Sequence, residues 1–343
     1  MHKLIGAFPN GGGSFSPRTE IQNVLQREGV NLTNDIIGTG TYSRVRIGFS
    51  QALSKKVAVK MIDIRTRSEY VQRFMPRELN LVPSLNHPNV VKVHQILRTD
   101  SYVAIVQEFC ENGDLLKLVK RVGRVDEIEA RFLFRQLIEA IMYLERLDVV
   151  HRDLKCENIF LDRYSNIKLG DFGFARVLSP RETSHTHCGS KAYVAVELLR
   201  GRTYTGNAAD IWSSGIVLFI LLTGRMPYND KKPKEMLENQ LNHRVPFPHG
   251  IVSTDARNLI TSMLHPRREL RATTRDIINS RWMRGVRYFM RGQEDEDQTC
   301  STASSRSVTN CNNNNQKDHD EDEVEDEEED SSNSIVSIPT PTN

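Results

Sequence analysis

Apolar residues alternate with polar ones in the first third of the chain and recur at helical spacing in the rest. The alternation appears in five runs rich in β-branched residues, "NDIIGTG", "SRVRIGFS", "KKVAVKMID", "VVKVHQIL" and "YVAIVQEF", and predicts a twisted antiparallel sheet. One helical stretch, "EYVQRFMPRELNLVPSL", interrupts the sheet, and from Asp114 onward the chain is mostly helical, as in "EARFLFRQLIEAIMYLERL". We therefore expect an α+β fold with a small β-rich lobe and a larger helical lobe, separated only by residues 108–114.

Both ends of the chain lack this periodicity. Residues 1–26 contain "NGGGSFSP" and predict a flexible leader. Residues 289–343 contain "NNNNQ" and "DHDEDEVEDEEED", which bury too little apolar surface to offset the entropy of ordering, and so predict a disordered acidic tail. The structured domain should accordingly span residues 27–288.

The apolar runs and the cysteines favour a protein that lies in a reducing compartment inside the cell. The longest apolar run, "IWSSGIVLFILL" at residues 211–222, is too short to cross a bilayer and predicts a buried core helix. We expect no secretory signal, since no basic start followed by an apolar segment opens the chain. The five cysteines form no C-x-x-C pair, which argues against a disulfide framework and a zinc site. A cytoplasmic location is expected, with the nucleus as an alternative.

The net charge of +2 conceals a strong asymmetry. From Arg291 onward there are 15 acidic and 3 basic residues, a balance of −12, whereas the preceding body has 43 basic and 29 acidic residues, a balance of +14. The tail could fold onto the body and compete with basic substrates, or it could simply keep the protein soluble. The body has no basic stripe interleaved with aromatic residues and no zinc spacing, so we expect no nucleic-acid partner, and no membrane partner either.

Three features of the first lobe together predict a grip on a polyphosphate. The glycines of "GTGTYSRV", residues 38–45, let backbone amides approach phosphate closely, although an ordinary tight hairpin would look the same. Lys60 ends the strand-like "VAVK", and Glu78 follows 18 residues later in the helical segment. In this combination the loop would cover a triphosphate, Lys60 would reach its α and β groups, and Glu78 would hold Lys60 as an ion pair.

The stretch "HRDLKCEN", residues 151–158, supplies the groups that phosphoryl transfer requires. Asp153 could accept the proton of an attacking hydroxyl, and Lys155 could neutralise charge on the phosphoryl oxygens. Asn158 and Asp171, the latter in "DFG", offer oxygen atoms to Mg²⁺. Any one of these residues alone could belong to a solvated loop, but the complete set in this order favours catalysis.

These motifs, together with "DIWSSG", resemble the eukaryotic protein kinase signature over residues 32 to 284, and Lys155 after "HRDL" resembles the serine/threonine branch. The phrases "RFMPREL", "DVVHRDLKCEN", "NIKLGDFGFA", "HCGSKAY" and "HRVPFP" are similar to the testis-specific serine/threonine kinase family. The resemblance implies the bilobal protein kinase fold and transfer of the ATP γ-phosphate to serine or threonine of protein substrates. It implies ATP and Mg²⁺ as cofactors and a role in male germ-cell development, spermatogenesis.

The resemblance also assigns roles to further positions. An ion pair between Glu197 and Arg271 would hold the end of the segment between Asp171 and Glu197 to the helical lobe, and Asp210 would have a structural role. The predicted ATP-binding residues are Gly38, Thr39, Gly40, Val45, Ala58, Lys60, Glu78, Glu108, Cys110 and Asp114.

Regulation and substrate choice can be predicted by the same route. Thr186 stands where this family carries its activating phosphothreonine, and an upstream kinase would act there. Its phosphate would pair with Arg152, with Arg176 as a second candidate, whereas Ser184 and Thr183 remain alternative sites. Asp114 and Glu157 predict a preference for arginine about three residues upstream of the phosphorylated residue.

Three positions depart from the kinase pattern. Ser43 replaces the third glycine of the loop, Gln107 replaces an apolar residue at the back of the nucleotide pocket, and Val196 replaces a proline. These departures leave open a pseudokinase scaffold as the alternative function. The intact charged set, including Asp153 and Asp171, favours an active enzyme.

Overall fold

A five-stranded antiparallel sheet forms the first lobe, as the alternating runs predict. The structure is a computed structural model that describes residues 17–40, 43–66, 68–178, 191–201 and 207–292. The strands are β1 (Val30–Thr39), β2 (Ser43–Ser50), β3 (Lys55–Asp63), β4 (Val93–Arg98) and β5 (Tyr102–Glu108). They lie in the order β1-β2-β3-β5-β4.

The two faces of this sheet bury different sets of side chains because successive residues of a strand point to opposite sides. On one face, Val57, Val59 and Met61 of β3 pack against the helix α1 (Pro17–Arg27). On the other face, Ile62 packs against the helical segment between β3 and β4. Lys60 lies two residues before Ile62 on β3, so both side chains point to the same face of the sheet. The Lys60 ammonium is therefore directed toward that helical segment.

The helix α1 corrects the prediction of a flexible leader over residues 1–26. Ile21 and Leu25 are fully buried against the sheet, and α1 is therefore part of the folded domain from Pro17 onward. The signal is present in the sequence, since Ile21, Val24 and Leu25 have the i, i+3, i+4 spacing of one helical face. Residues 1–16 lie outside the described part of the chain.

The helical segment between β3 and β4 changes its winding along its length. It begins with a π-helical turn, Tyr70–Phe74, continues as α2 (Met75–Leu81) and ends in a 3-10 turn, Val82–Ser84. The N–H of Met75 donates to the carbonyl of Tyr70, five residues earlier. Pro76 explains the widening, because proline has no N–H to donate and its ring crowds the carbonyl four residues before it.

The second lobe is built mainly of helices around one large apolar core. Its helices are α3 (Leu115–Val122), α4 (Glu127–Arg146), α5 (Val196–Leu199), α6 (Ala208–Thr223), α7 (Pro233–Leu241), α8 (Thr254–Met263) and α9 (Thr274–Asn279). The predicted core helix is α6, where nearly every side chain is buried. Within the described ranges, no helix has both the length and the apolar character needed to span a bilayer.

Two short antiparallel strand pairs frame two loops of the second lobe. The strands are β6 (Val149–Val150), β7 (Ile159–Leu161), β8 (Ile167–Leu169) and β9 (Arg176–Val177). β6 pairs with β9 and β7 pairs with β8, both antiparallel. The loop containing "HRDLKCEN" leaves β6 and enters β7, and the loop containing "DFG" leaves β8 and enters β9, so the two loops lie side by side.

Residues 288–292, here called the C-terminal strap, correct the predicted start of the disordered tail at residue 289. The Tyr288 hydroxyl donates to Asn89 Oδ1 at 2.8 Å, and Gln136 Nε2 donates to the carbonyl of Phe289 at 2.9 Å. Arg291 bonds both oxygens of Glu129, at 2.9 and 2.6 Å. Aromatic and charged contacts therefore hold the strap on α4, while residues 293–343 lie outside the described part of the chain.

Candidate active site

Lys60, Glu78 and Asp171 meet in the cleft between the lobes, which is the convergence that the motifs predict. Lys60 Nζ lies 2.7 Å from Glu78 Oε1 and 2.9 Å from Asp171 Oδ1. Glu78 is 3% exposed, whereas the Asp171 side chain is 44% exposed because it faces the open cleft. The ammonium is thus fixed by a buried carboxylate on its own lobe and by a solvent-facing carboxylate on the other.

The charges of this cluster stabilise one another. Burial alone would lower the pKa of Lys60, but the carboxylates of Asp171 and Glu78 outweigh it and hold that pKa well above its usual value. The positive charge of Lys60, and the hydrogen bond from its ammonium, lower the pKa of Asp171. Lys60 is therefore cationic and Asp171 anionic at neutral pH, the states needed to bind phosphate and a divalent cation.

The turn after β6 brings two of the predicted polar side chains, Lys155 and Asn158, to the carboxylate of the third, Asp153. Asp153 Oδ2 accepts from Lys155 Nζ at 2.7 Å and from Asn158 Nδ2 at 3.0 Å. Asn158 Nδ2 also donates to the carbonyl of Asp153 at 2.9 Å, which leaves the amide oxygen on the other side of the group. The N–H of Gly170 donates to the carbonyl of Asn158 at 2.9 Å, so the turn lies directly beside Asp171.

Asp210, predicted as a structural residue, binds the backbone at the start of this turn. Its carboxylate, in the first turn of α6, accepts the backbone N–H groups of His151 and Arg152 at 2.7 and 2.9 Å. Arg152 has a positive φ of 66°, a conformation rarely adopted by residues other than glycine. The two hydrogen bonds that the Asp210 carboxylate accepts stabilise this unusual backbone conformation, because they satisfy two N–H groups of the turn.

His151 joins the two loops. The N–H of Asp153 donates to His151 Nδ1 at 3.3 Å, so Nε2 carries the proton and donates to the carbonyl of Gly170 at 3.1 Å. The imidazole also meets the ring of Phe172 edge-on, with centroids 4.9 Å apart. These contacts tie the position of Asp153 to that of the neighbouring Asp171.

The glycine loop lies at the junction of β1 and β2, over the same cleft. Gly38 pairs with Val45, and Val45 pairs with Lys60 across β2 and β3. The N–H of Gly40 donates to the carbonyl of Ser43 at 2.8 Å, and Thr39 ends β1. The two strands thus bring the loop next to Lys60, although the loop tip at residues 41–42 lies outside the described ranges.

The segment that connects the lobes begins at the end of β5. Ala58 is buried and pairs with Gln107, and Lys60 pairs with Ile105 two residues along, so Gln107 lies on the same face of the sheet as Lys60. Glu108 uses its carboxylate to bind Lys168 Nζ at 2.7 Å, so its side chain ties the connecting segment to β8. What Glu108 could offer a nucleotide base is therefore its backbone carbonyl.

Two further predicted ATP-binding residues, Cys110 and Asp114, lie in the segment that connects the lobes. Burial raises the pKa of the Cys110 thiol, which therefore remains protonated. Asp114 caps the N-terminus of α3 by accepting the N–H of Lys117 at 2.9 Å, and its other oxygen lies 3.3 Å from Lys117 Nζ. The Asp114 side chain is 13% exposed. A ligand that binds its carboxylate would have to do so while the carboxylate still accepts the N–H of Lys117.

The predicted pair of Glu197 and Arg271 is present as a two-pronged ion pair. Arg271 Nη1 and Nη2 lie 2.8 and 2.9 Å from the two Glu197 oxygens, and Nη1 also donates to the carbonyl of Ala208. The guanidinium lies 5.0 Å from the centre of the Trp212 ring. Val196, which replaces a proline, is buried at the first position of α5, so the helix forms without the proline.

The predicted activation site falls partly outside the described residues. Thr186, with the alternatives Ser184 and Thr183, belongs to residues 179–190, which the structure does not describe. Arg152 is held by a bond from its Nε to the carbonyl of Phe174 at 2.6 Å.

Arg77 lies within electrostatic range of Arg152. Burial and the positive charges of Arg176, Arg73 and Arg152 lower the pKa of Arg77. Arg77 therefore belongs to a basic cluster with Arg152 and Arg176, but the sequence offered no signal for it beyond its place beside Glu78.

The oxygen atoms of Asp171 and Asn158 suit magnesium rather than a metal ion that is held by protein ligands alone. The described residues contain no group of three or more histidine, cysteine, aspartate or glutamate side chains able to hold a metal ion. Mg²⁺ commonly binds one or two protein oxygens and completes its shell with water and substrate phosphates. The exposed carboxylate of Asp171 and the amide oxygen of Asn158 fit that mode.

Comparison with known proteins agrees with this geometry. Residues 32–283 match the family described as protein kinase domain, which is most of the chain. The chain belongs to the protein kinase family.

Its relatives narrow this assignment. The chain is 42% identical over 268 residues to mouse testis-specific serine/threonine-protein kinase 1, an alignment that covers 76% of this chain and 73% of the relative. It is 42% identical over 252 residues to human testis-specific serine/threonine-protein kinase 3, covering 72% and 93%. The nematode serine/threonine-protein kinase kin-29 is 36% identical over 259 residues, covering 76% and 31%. The chain is a serine/threonine protein kinase similar to the testis-specific members, as the motifs predict.

Proposed function

We propose that this protein transfers the γ-phosphate of ATP to serine or threonine residues of protein substrates. The observation that carries the proposal is the convergence of Lys60, Glu78 and Asp171 in the cleft. Lys60 would bind the α- and β-phosphates while Glu78 keeps its ammonium in place. The glycine loop would cover the triphosphate, with Ala58 and Val45 against the base and the carbonyl of Glu108 accepting its amino group.

The turn after β6 supports the transfer step. Asp153 would orient the attacking hydroxyl and accept its proton, and Lys155 would neutralise charge on the transferred group. Asn158 and Asp171 would hold Mg²⁺, which when bound offsets phosphate charge. Because Lys155 and Asn158 both donate to Asp153, the carboxylate is oriented before substrate arrives.

The biological setting is proposed from the relatives. The names of the relatives at 42% identity contain the word testis-specific, which supports a role in male germ-cell development for this chain. We further propose a cytoplasmic location, with the nucleus as a second compartment. Localisation of the tagged protein in developing germ cells tests both statements.

Substrates with basic residues upstream of the phosphorylated position are part of the proposal. Glu157 is exposed beside the catalytic turn, and the Tyr193 hydroxyl donates to its Oε2 at 3.3 Å. A second carboxylate, Asp114, lies at the start of α3 and could meet the ribose or a basic substrate residue. Two carboxylates attract a guanidinium more strongly than one.

A phosphotransfer assay tests function and preference together. The purified protein is incubated with radiolabelled ATP and Mg²⁺ and with two serine peptides that differ only by arginine or alanine three residues upstream. We expect Mg²⁺-dependent labelling that is lost with chelator and is several-fold faster for the arginine peptide. Labelling of neither peptide would contradict the kinase function, whereas equal labelling would contradict only the basic preference.

Phosphorylation of Thr186 by an upstream kinase is proposed as the activating event. A phosphate there could pair with the guanidinium groups of Arg77, Arg152 and Arg176, because a phosphate forms strong charge-assisted hydrogen bonds with arginine. Thr186→Ala should lower the rate of peptide phosphorylation by about tenfold or more, because it removes those charge-assisted bonds. Ser184→Ala is the matched control, and wild-type activity in the Thr186 variant would refute the assignment.

A further inference from the structure

Tyr70 contacts the carboxylate that holds Lys60. The Tyr70 hydroxyl donates to Glu78 Oε2 at 2.6 Å, while Lys60 Nζ binds Glu78 Oε1 at 2.7 Å. Each oxygen of the buried carboxylate therefore has its own donor, one on β3 and one at the start of the helical segment. A carboxylate held at both oxygens cannot rotate without losing one of the two bonds.

The ring of Tyr70 also lies against the "DFG" segment. A Cβ atom built on Gly173 would lie 3.2 Å from Tyr70 Cε2 and 3.4 Å from Asp171 Oδ1. The tyrosine thus contacts the loop of the second lobe at Gly173, two residues after Asp171. One side chain spans from the helical segment of the first lobe to the loop that carries the metal-binding carboxylate.

The π-helical turn explains how Tyr70 reaches Glu78. In a regular α-helix, at ~100° per residue, residues eight apart differ by about 80° around the axis and face different directions. A π turn has more residues per turn and so less rotation per residue, which reduces this difference. The irregular winding over Tyr70–Phe74 therefore brings the phenol onto the face of the helix that carries Glu78.

We propose that Tyr70 is a positioning residue, which fixes Glu78 and through it sets the place of the Lys60 ammonium for the phosphates of ATP. The proposal rests on the kinase function proposed above and adds a residue outside the predicted site. The phenol remains protonated and able to donate, because burial raises the pKa of Tyr70, the charge of Glu78 adds to this effect and Lys60 opposes it.

The test uses Tyr70→Phe, which keeps the ring against Gly173 and removes only the hydroxyl. Lys60 would contact the phosphates in both the ground and transition states, so loss of its positioning should appear as weaker ATP binding. We expect the KM for ATP and its Kd measured by calorimetry to rise about tenfold, the value of a hydrogen bond to a charged group. The KM for peptide should not change, and kcat should fall by much less than tenfold.

A matched control and a double variant separate positioning from a loss of folded protein. Tyr102→Phe removes a hydroxyl from the same lobe, where it bonds Arg65 at 3.2 Å, and should leave ATP affinity unchanged. In a Glu78→Ala background, Tyr70→Phe should have no further effect on the Kd for ATP. An equal further loss in that background would show that Tyr70 does not act through Glu78 and would overturn the proposal.

The remaining outcomes distinguish this proposal from the proposed function. If the wild-type protein transfers phosphate and Tyr70→Phe binds ATP as tightly as wild type, the positioning role is wrong and the kinase function stands. A fall in kcat with an unchanged KM and Kd for ATP would likewise overturn it. If the wild-type protein binds no ATP, both proposals fail.

Discussion

Replacing Asp153 with asparagine should lower kcat by about 10²- to 10⁴-fold, the contribution expected of a general base. Asparagine keeps the shape of the side chain and can still accept from Lys155 and Asn158, but its amide cannot take the proton of the attacking hydroxyl. The Lys60–Glu78–Asp171 cluster is left intact, so the KM for ATP should remain close to that of wild type. Steady-state phosphorylation of the arginine peptide at varied ATP measures both quantities.

Asp148→Asn is the matched control for this variant. Asp148 lies five residues earlier, is exposed, and has a φ of 55° that asparagine also tolerates. It should behave as wild type. Retention of more than about a tenth of wild-type kcat by Asp153→Asn would contradict the assigned role, because a general base contributes at least about 10²-fold.

Replacing Glu197 with alanine should destabilise the folded protein by about 3–5 kcal/mol, the cost of leaving a buried charge without its partner. The Arg271 side chain is 1% exposed and both of its terminal nitrogens bind Glu197. Its remaining bonds to the carbonyls of Ala208 and His265 do not neutralise the charge. Urea unfolding followed by fluorescence should show a lower midpoint, provided that the transition remains two-state.

The neighbouring pair of Arg268 and Glu269 provides the comparison. It is also an arginine–glutamate pair but is exposed on both sides. Glu269→Ala should leave the unfolding midpoint unchanged, because exposed pairs contribute little. If the two glutamate variants unfolded at the same denaturant concentration, the buried pair would not have the stabilising role assigned to it.

The sequence predicts those features of the site that are determined within a single strand or a single short motif. Alternation along β3 fixes the direction of Lys60, and the adjacency of Asp153 to Lys155 and of Asp171 to Gly173 follows from their motifs. Hence the sheet, the connecting segment and the Lys60–Glu78 pair all agree with the sequence.

The features that the sequence did not reveal depend on irregular winding or on distant contacts. Tyr70 meets Glu78 through a π turn, and a regular helical reading places the two on different faces. Arg77 joins Arg152 and Arg176 only through tertiary folding. The strap lacks any periodic signal because hydrogen bonds to Asn89, Asn166 and α4, together with one ring contact, hold it in place of a continuous apolar face.

Both α1 and the C-terminal strap lie beyond residues 32–283, where the family match begins and ends. A recombinant fragment cut at those limits would uncover the sheet face over Val59 and Met61 and would deprive the Gln136 amide of its acceptor at Phe289. Such a fragment should be prone to aggregate and easy to digest. We therefore expect the cooperative folding unit to be larger than residues 32–283, and expression or crystallisation should begin at or before Pro17 and run through Gly292.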